Sequence, residues 1–373
     1  MAEQFREIII IGGGLAGLIA AHQLSKSGKE VLLIEKKNYP FHRVCGEYIS
    51  NEVRGFLIRE SLFPKEFFPA EIGKFRLSSV KGEMAEMDLD MGGFGISRYV
   101  LDEFLFHKSK TAGAEFLLQA QAESIDFLPD EDRFRIVLND GRIFYSKHVL
   151  GAFGKRSKID KYLDRNFIRS RSPYIGVKYH IRIDYEKDLV ALHNFEGGYC
   201  GINRIEQEKF NLCYLGSKDH LRKYGNIQDM EKEVLYKNPH LKTIFENAEF
   251  LFEKPEVINE VDFSPKLPVE NHILMLGDAA GLITPLCGNG MAIAIHSGKI
   301  AAEILITNLS RPEIEKAYLS EWSRQFKSRL WLGRRVQWLF GANKVSDFAV
   351  SLVRNSGLIA RAIMKNTHGP VIK

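Results

Sequence analysis

The sequence predicts an α/β protein in which a parallel-sheet domain is interrupted by an antiparallel β-sheet and followed by helices. Three observations favour this fold. An apolar strand, a glycine turn, a helix and a second strand fill residues 8–35, and another apolar strand recurs at residues 272–278. Between them, residues 174–263 contain short runs of alternating polarity, which are typical of an antiparallel sheet inserted into an α/β framework.

The N-terminal unit has the spacing of a dinucleotide-binding turn. Gly12 permits the sharp turn after the first strand, Gly14 lets the backbone approach a pyrophosphate, and Gly17 lets the helix pack on the strand. The helix begins near Leu15 and Ala16, where unpaired N–H groups and a partial positive charge would face the phosphates.

The second strand of this unit ends on an acid, Glu35, which is followed by Lys36. A carboxylate about twenty residues after the glycines can accept hydrogen bonds from the ribose of an adenosine. Because strand, turn, helix and acid are all present, we interpret residues 8–36 as a dinucleotide site. This unit by itself does not distinguish FAD from NAD.

Composition narrows the class of protein. The 373 residues are 45% hydrophobic, which excludes wholesale disorder and allows two domains or one large domain with a subdomain. The four cysteines form no CxxC pair, and the histidines show no common spacing, so we predict reduced thiols and no metal. The chain begins almost directly with a strand and has no long apolar run, which predicts a cytoplasmic protein without a signal peptide.

The remaining elements follow from periodicity and turn signals. A loop over residues 36–50 leads into a helix near 51–59, and Ser97 can cap a helix that runs to about Ala112. Strands are predicted at 74–79, 84–89, 115–118, 122–128, 134–138, 143–150, 174–183, 189–195, 198–204, 210–215 and 256–263, and helices near 229–236 and 241–248. Helices beginning near Asn289, Glu313 and Val345 complete the chain.

The late apolar strand ends on Gly277-Asp278, and a second glycine-rich stretch leads to the helix near Asn289. An acid at the carboxyl end of a parallel strand faces the ligand crevice. This arrangement would suit a flavin, because the carboxylate can bind a ribityl hydroxyl and the helix N-terminus can face the part of the ring where negative charge collects on reduction.

At these motifs the chain resembles the FAD-dependent oxidoreductases of the para-hydroxybenzoate hydroxylase (PHBH) fold, which include aromatic hydroxylases, geranylgeranyl reductases and flavin halogenases. The resemblance implies a Rossmann-like FAD-binding domain (GR2/PHBH type) over residues 1–70, 98–170 and 265–310. It also implies an antiparallel β-sheet substrate domain over 71–97 and 171–264, and a C-terminal helical segment over 311–373. The residues that would bind the ribityl chain and ring are Gly277, Asp278, Pro285, Gly288, Asn289, Gly290 and Met291.

Two further matches support the resemblance. Residues 151–157 match the middle motif of the family, with Phe153 replacing its acid and Gly154 preserving its turn. Arg98 matches a family arginine that contacts FAD. Arg43 is a candidate for the pyrophosphate or the substrate, because a guanidinium pairs well with phosphate.

The loop over residues 41–47 resembles the geranylgeranyl reductase branch, whose Cys-Gly pair lies near the flavin. Cys45 is therefore a candidate catalytic thiol, and Glu47 could anchor the loop. Residues 196–201 resemble the Gly-Gly-Tyr motif of that branch, but the Trp and Phe-Pro that usually follow are missing. The paired tryptophans of the halogenases are also absent, so we do not expect halogenation.

The resemblance leaves the reaction open. The favoured hypothesis is monooxygenation of an aromatic or polyketide-like substrate, with FAD as cofactor and NAD(P)H as a transient reductant, because the prenyl-reductase motif is broken. The alternative is flavin-dependent reduction of carbon–carbon double bonds in an isoprenoid or lipid. A hypothesis of another class is a flavin-binding redox carrier or sensor without turnover.

The net charge of +5 is concentrated near the end of the chain. Residues 324–365 hold nine Lys or Arg and one acid, Asp347, together with several aromatic residues. One interpretation is a pair of amphipathic helices packed on the FAD domain; the other is a peripheral contact with an anionic membrane. No nucleic-acid-binding motif accompanies the charge, so we predict no nucleic-acid partner.

Overall fold

The structure is a computed structural model of the full chain. It describes residues 4–170, 172–259, 261–282, 289–307, 309–337, 343–355 and 369–372.

The strands and helices are numbered in chain order. The strands are β1 (Gln4–Ile11), β2 (Val31–Glu35), β3 (Tyr48–Ser50), β4 (Ala70–Ser78), β5 (Met84–Gly95), β6 (Glu115–Leu118), β7 (Ala122–Leu128), β8 (Arg133–Leu138), β9 (Ile143–Gly151), β10 (Tyr174–Arg182), β11 (Leu189–Phe195), β12 (Gly198–Arg204), β13 (Phe210–Ser217), β14 (Glu249–Phe250), β15 (Glu256–Ile258), β16 (Val269–Glu270) and β17 (Ile273–Met275). The α-helices are α1 (Leu15–Lys26), α2 (Arg54–Arg59), α3 (Arg98–Thr111), α4 (Lys158–Tyr162), α5 (Lys218–Tyr224), α6 (Ile227–Val234), α7 (Pro239–Asn247), α8 (Gly290–Leu305), α9 (Arg311–Gln337) and α10 (Asn343–Asn355).

The first sheet has the order β16-β17-β9-β1-β2-β6 and places the predicted motifs on one edge. Strand β1 is parallel to both β2 and β9, and β17 is parallel to β9. The carboxyl ends of these strands therefore meet at the same edge. Helices α3 and α8 pack against α1, and a Cβ at Gly298 would lie 2.4 Å from the backbone oxygen of Ala16, so glycine allows the close contact of α8 with α1.

The second sheet has the order β14-β10-β13-β12-β11-β4-β5-β3, with β15 paired to β10. Residues 175–181 of β10 alternate between its two faces, as in any strand. Helices α6 and α7 cover one face, where Met230, Leu241 and Phe245 join the core of β10–β13. Because β3 pairs with β5, residues 48–50 join this sheet. The domain boundaries given from the sequence stay a prediction.

The C-terminal helices cover different parts of the protein. Helix α9 packs on α8, and Tyr318, Trp322 and Phe326 are buried in the core of the first sheet. Helix α10 contacts β4 and β5, and Val350 joins an apolar cluster on the second sheet. No helix in the described ranges is long and apolar enough to cross a membrane.

The fold class predicted from the sequence is confirmed, with local differences in its elements. The helix expected near 51–59 forms a short 3-10 turn followed by α2. The loop expected over 36–50 ends in strand β3. The strand expected over 256–263 is wrong beyond Ile258: Val261 instead exchanges hydrogen bonds with the hydroxyl of Ser172, which replaces ladder pairing there.

Candidate functional site

Two glycines of the turn after β1, Gly12 and Gly17, have no room for a side chain. Gly12 has φ +108°, and a Cβ there would lie 2.4 Å from the Ala152 oxygen. A Cβ at Gly17 would lie 2.1 Å from the Gly12 oxygen. At Gly14 the nearest atom to a Cβ would be Nη2 of Arg98 at 3.7 Å, which is an ordinary contact, so this position has room beside the arginine. The glycines thus perform the predicted tasks of tight turning and close packing.

Helix α1 begins directly after this turn. Its N-cap is Gly14, and no side chain caps the helix. The amides at its start therefore combine unpaired donors with the positive end of the helix dipole, which suits a phosphate. The side chains of Leu15 and Ala16 are buried, so only their backbone can contribute to such a site.

Glu35 holds the turn from the end of β2. Its Oε2 accepts the N–H of Gly13 at 2.8 Å, and its Oε1 accepts the N–H of Lys37 at 3.0 Å. The side chain of Glu35 is buried, whereas Lys36 is exposed. The predicted contact of Glu35 with a ribose fits this position at the sheet edge and stays a prediction.

Two arginines and a buried aspartate lie beside the turn. Arg98 donates from Nε and Nη2 to the two carboxylate oxygens of Asp102 at 2.7 Å each. Arg43 donates to Asp102 at 3.0 Å and to the backbone oxygen of Gly13 at 3.2 Å. Burial alone would lower the pKa of Arg98, but the Asp102 charge outweighs it and raises the pKa.

Asp102 was not predicted as a site residue from the sequence. The signal was available, because Asp102 lies four residues after Arg98, and oppositely charged residues at that spacing meet on a helix. Its effect is to hold both predicted arginines next to Gly13 and Gly14.

The third motif lies against the first. A Cβ at Gly277 would be 3.3 Å from Cβ of Ala16, so the turn that carries Asp278 contacts the start of α1. The Gly277 N–H donates to the Ser297 hydroxyl of α8 at 2.9 Å. The turn at Asp278 and the turn at Gly12 thus share one edge of the sheet.

Lys266 connects the middle and third motifs. Its Nζ donates to the backbone oxygens of Lys155 at 2.7 Å and Asp278 at 2.8 Å. Burial lowers the pKa of Lys266 to about 8. Gly154, in the middle motif, has φ +83° and no atom within 4 Å of a Cβ position, so its turn faces open space.

The start of α8 is described only in part. Pro285 and Gly288 lie outside the described residues. Asn289 is buried directly before the helix, Gly290 is its first residue, and Met291 is buried in the core of the first sheet.

The loop that contains Cys45 lies across the second sheet. A Cβ at Gly176 of β10 would lie 3.2 Å from Cγ1 of Val44, and the Gly46 oxygen accepts the side-chain amide of Asn211 of β13 at 2.9 Å. Cys45 lies between these contacts and packs, half-buried, against the core of the first sheet. Cys45 therefore lies at the junction of the two sheets, and both its predicted place near the flavin and its role stay predictions.

Glu47 follows this loop and is completely buried. Its carboxylate contacts Lys178 and His180 of β10. Burial alone would raise the pKa of Glu47, but the nearby Lys178 and the hydrogen bond from His180 lower it to about 2. Neither Lys178 nor His180 was predicted as a site residue from the sequence. The available signal was a Lys and a His on one face of an otherwise apolar strand.

Comparisons with a family model and with known proteins support the interpretation of the N-terminal unit as a dinucleotide-binding turn. Residues 10–57 match the family model of the NAD(P)-binding Rossmann-like domain. The chain is 26% identical to the digeranylgeranylglycerophospholipid reductase of Methanosarcina acetivorans, over 85% of this chain and 80% of the relative. It is 23% identical to conditioned medium factor receptor 1 of Dictyostelium discoideum, over 95% of this chain and 75% of the relative.

Solved structures have the same fold at low identity. A geranylgeranyl bacteriochlorophyll reductase-like protein from Thermoplasma acidophilum superposes with a TM-score of 0.78 at 19% identity, covering 98% of this chain and 96% of that protein. PqsL from Pseudomonas aeruginosa, described as "a probable FAD-dependent monooxygenase", superposes with a TM-score of 0.72 at 15% identity, covering 92% and 99%.

The predicted resemblance is therefore confirmed: the chain has the fold of the FAD-dependent oxidoreductases of the PHBH type. The prediction of an enzyme of this flavoprotein class is also confirmed. The glycine turn, the uncapped α1 and the adjoining Asp278 turn fit an extended dinucleotide cofactor.

Proposed function

We propose that this protein uses FAD, NAD(P)H and molecular oxygen to insert one oxygen atom into a largely apolar aromatic or polyketide-like molecule, with the second oxygen atom released as water. One observation carries the proposal: the turns at Gly12, Gly154 and Gly277 lie on one sheet edge, next to an apolar cluster of the second sheet. Leu282, a few residues after Asp278, is buried in that cluster, so the cofactor motif is continuous with an apolar surface.

Each residue group has a distinct task in this proposal. The amides at the start of α1, with Arg43 and Arg98, bind the pyrophosphate, and Glu35 binds the adenosine ribose. Asp278 accepts a ribityl hydroxyl. The bound FAD supplies the redox chemistry, while the protein orients the substrate and excludes water.

The apolar cluster supports a substrate with little charge. Its buried members on the second sheet include Leu77, Leu192, Tyr199 and Leu215. Helix α10 contributes Val350 to the same cluster. Apolar side chains of this kind favour an aromatic or hydrocarbon ligand through the area that is removed from water.

A second candidate reaction is the reduction of a carbon–carbon double bond in an isoprenoid or lipid. The similarity to the digeranylgeranylglycerophospholipid reductase over most of both chains supports it. The broken motif after residues 196–201 favours monooxygenation instead.

Product mass separates the candidates. The FAD-loaded protein is incubated with NADH or NADPH, oxygen and a panel of alkyl-substituted phenols and prenyl lipids, and the products are weighed by mass spectrometry. A gain of one oxygen supports monooxygenation, and a gain of two hydrogens supports double-bond reduction. Slow flavin reduction by both nucleotides with no modified product would favour the carrier or sensor and contradict both reactions.

We also propose a peripheral contact of residues 324–365 with anionic membranes. Trp331 on α9 is 51% exposed, and the Arg335 guanidinium lies 4.4 Å from its ring centroid. Phe348 on α10 is 62% exposed. An aromatic side chain beside a cation is suited to the headgroup region.

Co-sedimentation with vesicles of anionic or neutral lipid tests this contact. We expect binding to anionic vesicles at low salt that weakens in Trp331→Ala. The matched control is Tyr162→Ala, because Tyr162 is exposed on α4, outside the basic segment. Equal sedimentation with and without anionic lipid would contradict the proposal.

A further inference from the structure

Glu47 is a buried carboxylate at which three parts of the chain meet. Its Oε1 accepts Nζ of Lys178 at 2.5 Å and the backbone N–H of Arg98 at 2.7 Å. Its Oε2 accepts Nε2 of His180 at 2.7 Å. The loop after β2, the first turn of α3 and strand β10 of the second sheet are thus joined through one side chain.

The backbone of Glu47 is held in an unfavourable conformation. Its φ of +52° lies in the left-handed region, which residues other than glycine rarely occupy. Its carbonyl accepts the N–H of Ile96 at 3.2 Å and the side-chain amide of Asn203 at 3.4 Å. A strained residue persists only where its surroundings fix it, and such residues cluster at functional sites.

Arg43, in the loop before Glu47, is bound from two sides. On the side of the second sheet, Nζ of Lys178 donates to the Arg43 oxygen at 3.2 Å. On the side of the glycine turn, the Arg43 guanidinium contacts Asp102 and the Gly13 oxygen. The position of Arg43 beside the turn therefore depends on a contact from the second sheet.

A second carboxylate supports the same junction. Glu206, which follows β12, accepts the N–H of Ser97 at 2.7 Å and its hydroxyl at 2.8 Å. Glu47 and Glu206 thus both bind the first turn of α3, where the helix dipole favours negative charge. The guanidinium of Arg98, which starts this helix, is the group that faces Gly14.

We propose that Glu47 is a positioning residue that fixes the position of the second sheet relative to the cofactor turn at Gly12. Through Lys178 and His180 on one side and Arg98 on the other, it fixes where a substrate on the second sheet meets the reactive end of the cofactor. The inference rests on the proposed function, since it presumes that FAD binds along the Gly12 turn and that the substrate binds the second sheet.

The test replaces Glu47 by its neutral isostere, Glu47→Gln, and measures FAD binding by fluorescence titration and the visible circular dichroism of the bound flavin. We expect affinity to fall by about tenfold or more, with a changed dichroism spectrum. The matched control is Glu231→Gln, a buried glutamate on the other face of the second sheet whose carboxylate accepts the hydroxyls of Tyr179 and Tyr214. It should bind FAD within about twofold of the wild type with an unchanged spectrum.

A paired variant separates positioning from folding. Glu47→Gln combined with Lys178→Met removes both charges of the buried pair, so it should fold even where the single variant does not. Weaker FAD binding and a changed spectrum in this folded protein support the proposal. Wild-type affinity and an unchanged spectrum overturn it, because the pair would then serve stability alone.

Hydrogen exchange of the FAD-free protein keeps this inference distinct from the proposed function. We expect faster exchange of the amides of residues 42–47 and 96–98 in Glu47→Gln and wild-type exchange there in Glu231→Gln. Unchanged exchange in both variants overturns the positioning role. A wild-type protein that binds no FAD would contradict the proposed function, whereas this exchange comparison would still decide the role of Glu47 at the junction.

Discussion

Two buried glutamates lie on opposite faces of strand β10 and differ in their partners. Glu47 lies on the face of Lys178 and His180 and is hydrogen-bonded to both. Glu231, from α6, lies on the face of Tyr179 and accepts hydroxyls from Tyr179 at 3.0 Å and Tyr214 at 2.8 Å. The alternation of a single strand separates the two environments.

The comparison shows that partners, and not burial alone, decide the charge of a buried acid. Burial is the largest influence on both residues, and it raises the pKa in each case. For Glu47 the Lys178 charge and the hydrogen bond from His180 overcome it and bring the pKa to about 2. For Glu231 two neutral hydroxyls offset only part of it, and the pKa stays at about 7.

The largest expected effect on stability comes from removing the cation beside Glu47. Lys178→Met leaves a buried carboxylate without its main countercharge, so we expect the free energy of unfolding at pH 7 to fall by about 3–5 kcal/mol. Urea unfolding measures the change. The control is Lys187→Met, which breaks an exposed 3.9 Å pair with Glu208 and should cost at most about 1 kcal/mol. Equal effects of the two variants would remove the basis of the comparison.

The next largest effect is the contribution of Glu47 to the free energy of unfolding at acid pH. A pKa of about 2 in the fold against an ordinary 4.5 means that Glu47 stabilises the protein above pH 4.5 and loses that contribution as pH falls toward 2. The full contribution is about 3 kcal/mol. The free energy of unfolding, measured from pH 2 to 5, should therefore rise less steeply with pH in Glu47→Gln than in the wild type. Parallel curves would contradict the lowered pKa.

The opposite slope is expected for Glu231. Because its pKa is raised from 4.5 to about 7, its contribution is complete below pH 4.5 and is lost as pH rises through 7. The loss amounts to about 3 kcal/mol. In Glu231→Gln the free energy of unfolding should lack this decline between pH 4.5 and 7. Persistence of the same decline in the variant would show that another group causes it.

The smallest effect comes from the hydroxyls around Glu231. Tyr214→Phe removes a hydrogen bond that lowers the pKa of Glu231, so the pKa should rise above 7 and stability at pH 7 should fall by about 1 kcal/mol. Tyr179→Phe should act in the same direction, since its hydroxyl contacts the same oxygen. The pH midpoint of the stability decline measures the shift, and an unmoved midpoint in both variants would exclude these bonds as its cause.

Parts of the fold that depend on residues close together along the chain could be predicted from the sequence. The turn from Gly12 to Gly17 and the cap by Ser97, whose hydroxyl accepts the Val100 N–H, follow from a few consecutive residues. Short elements that pair with distant segments of the chain could not be predicted in this way. Strand β3 and the end of β15 depend on pairing with distant chain segments, which periodicity does not record.

The sequence by itself predicted the α/β class and the glycine turn from Gly12 to Gly17, because close backbone approach requires particular residues at fixed spacing. The resemblance to the family, and not the spacing, pointed to the middle motif and to Arg98. Only the tertiary structure decided that Asp102 holds both arginines and that Glu47 joins Arg98 to Lys178 and His180. The reason is physical: the charge state of a buried acid depends on which groups the fold brings within hydrogen-bond distance, and the partners of Glu47 are 51 to 133 residues away along the chain.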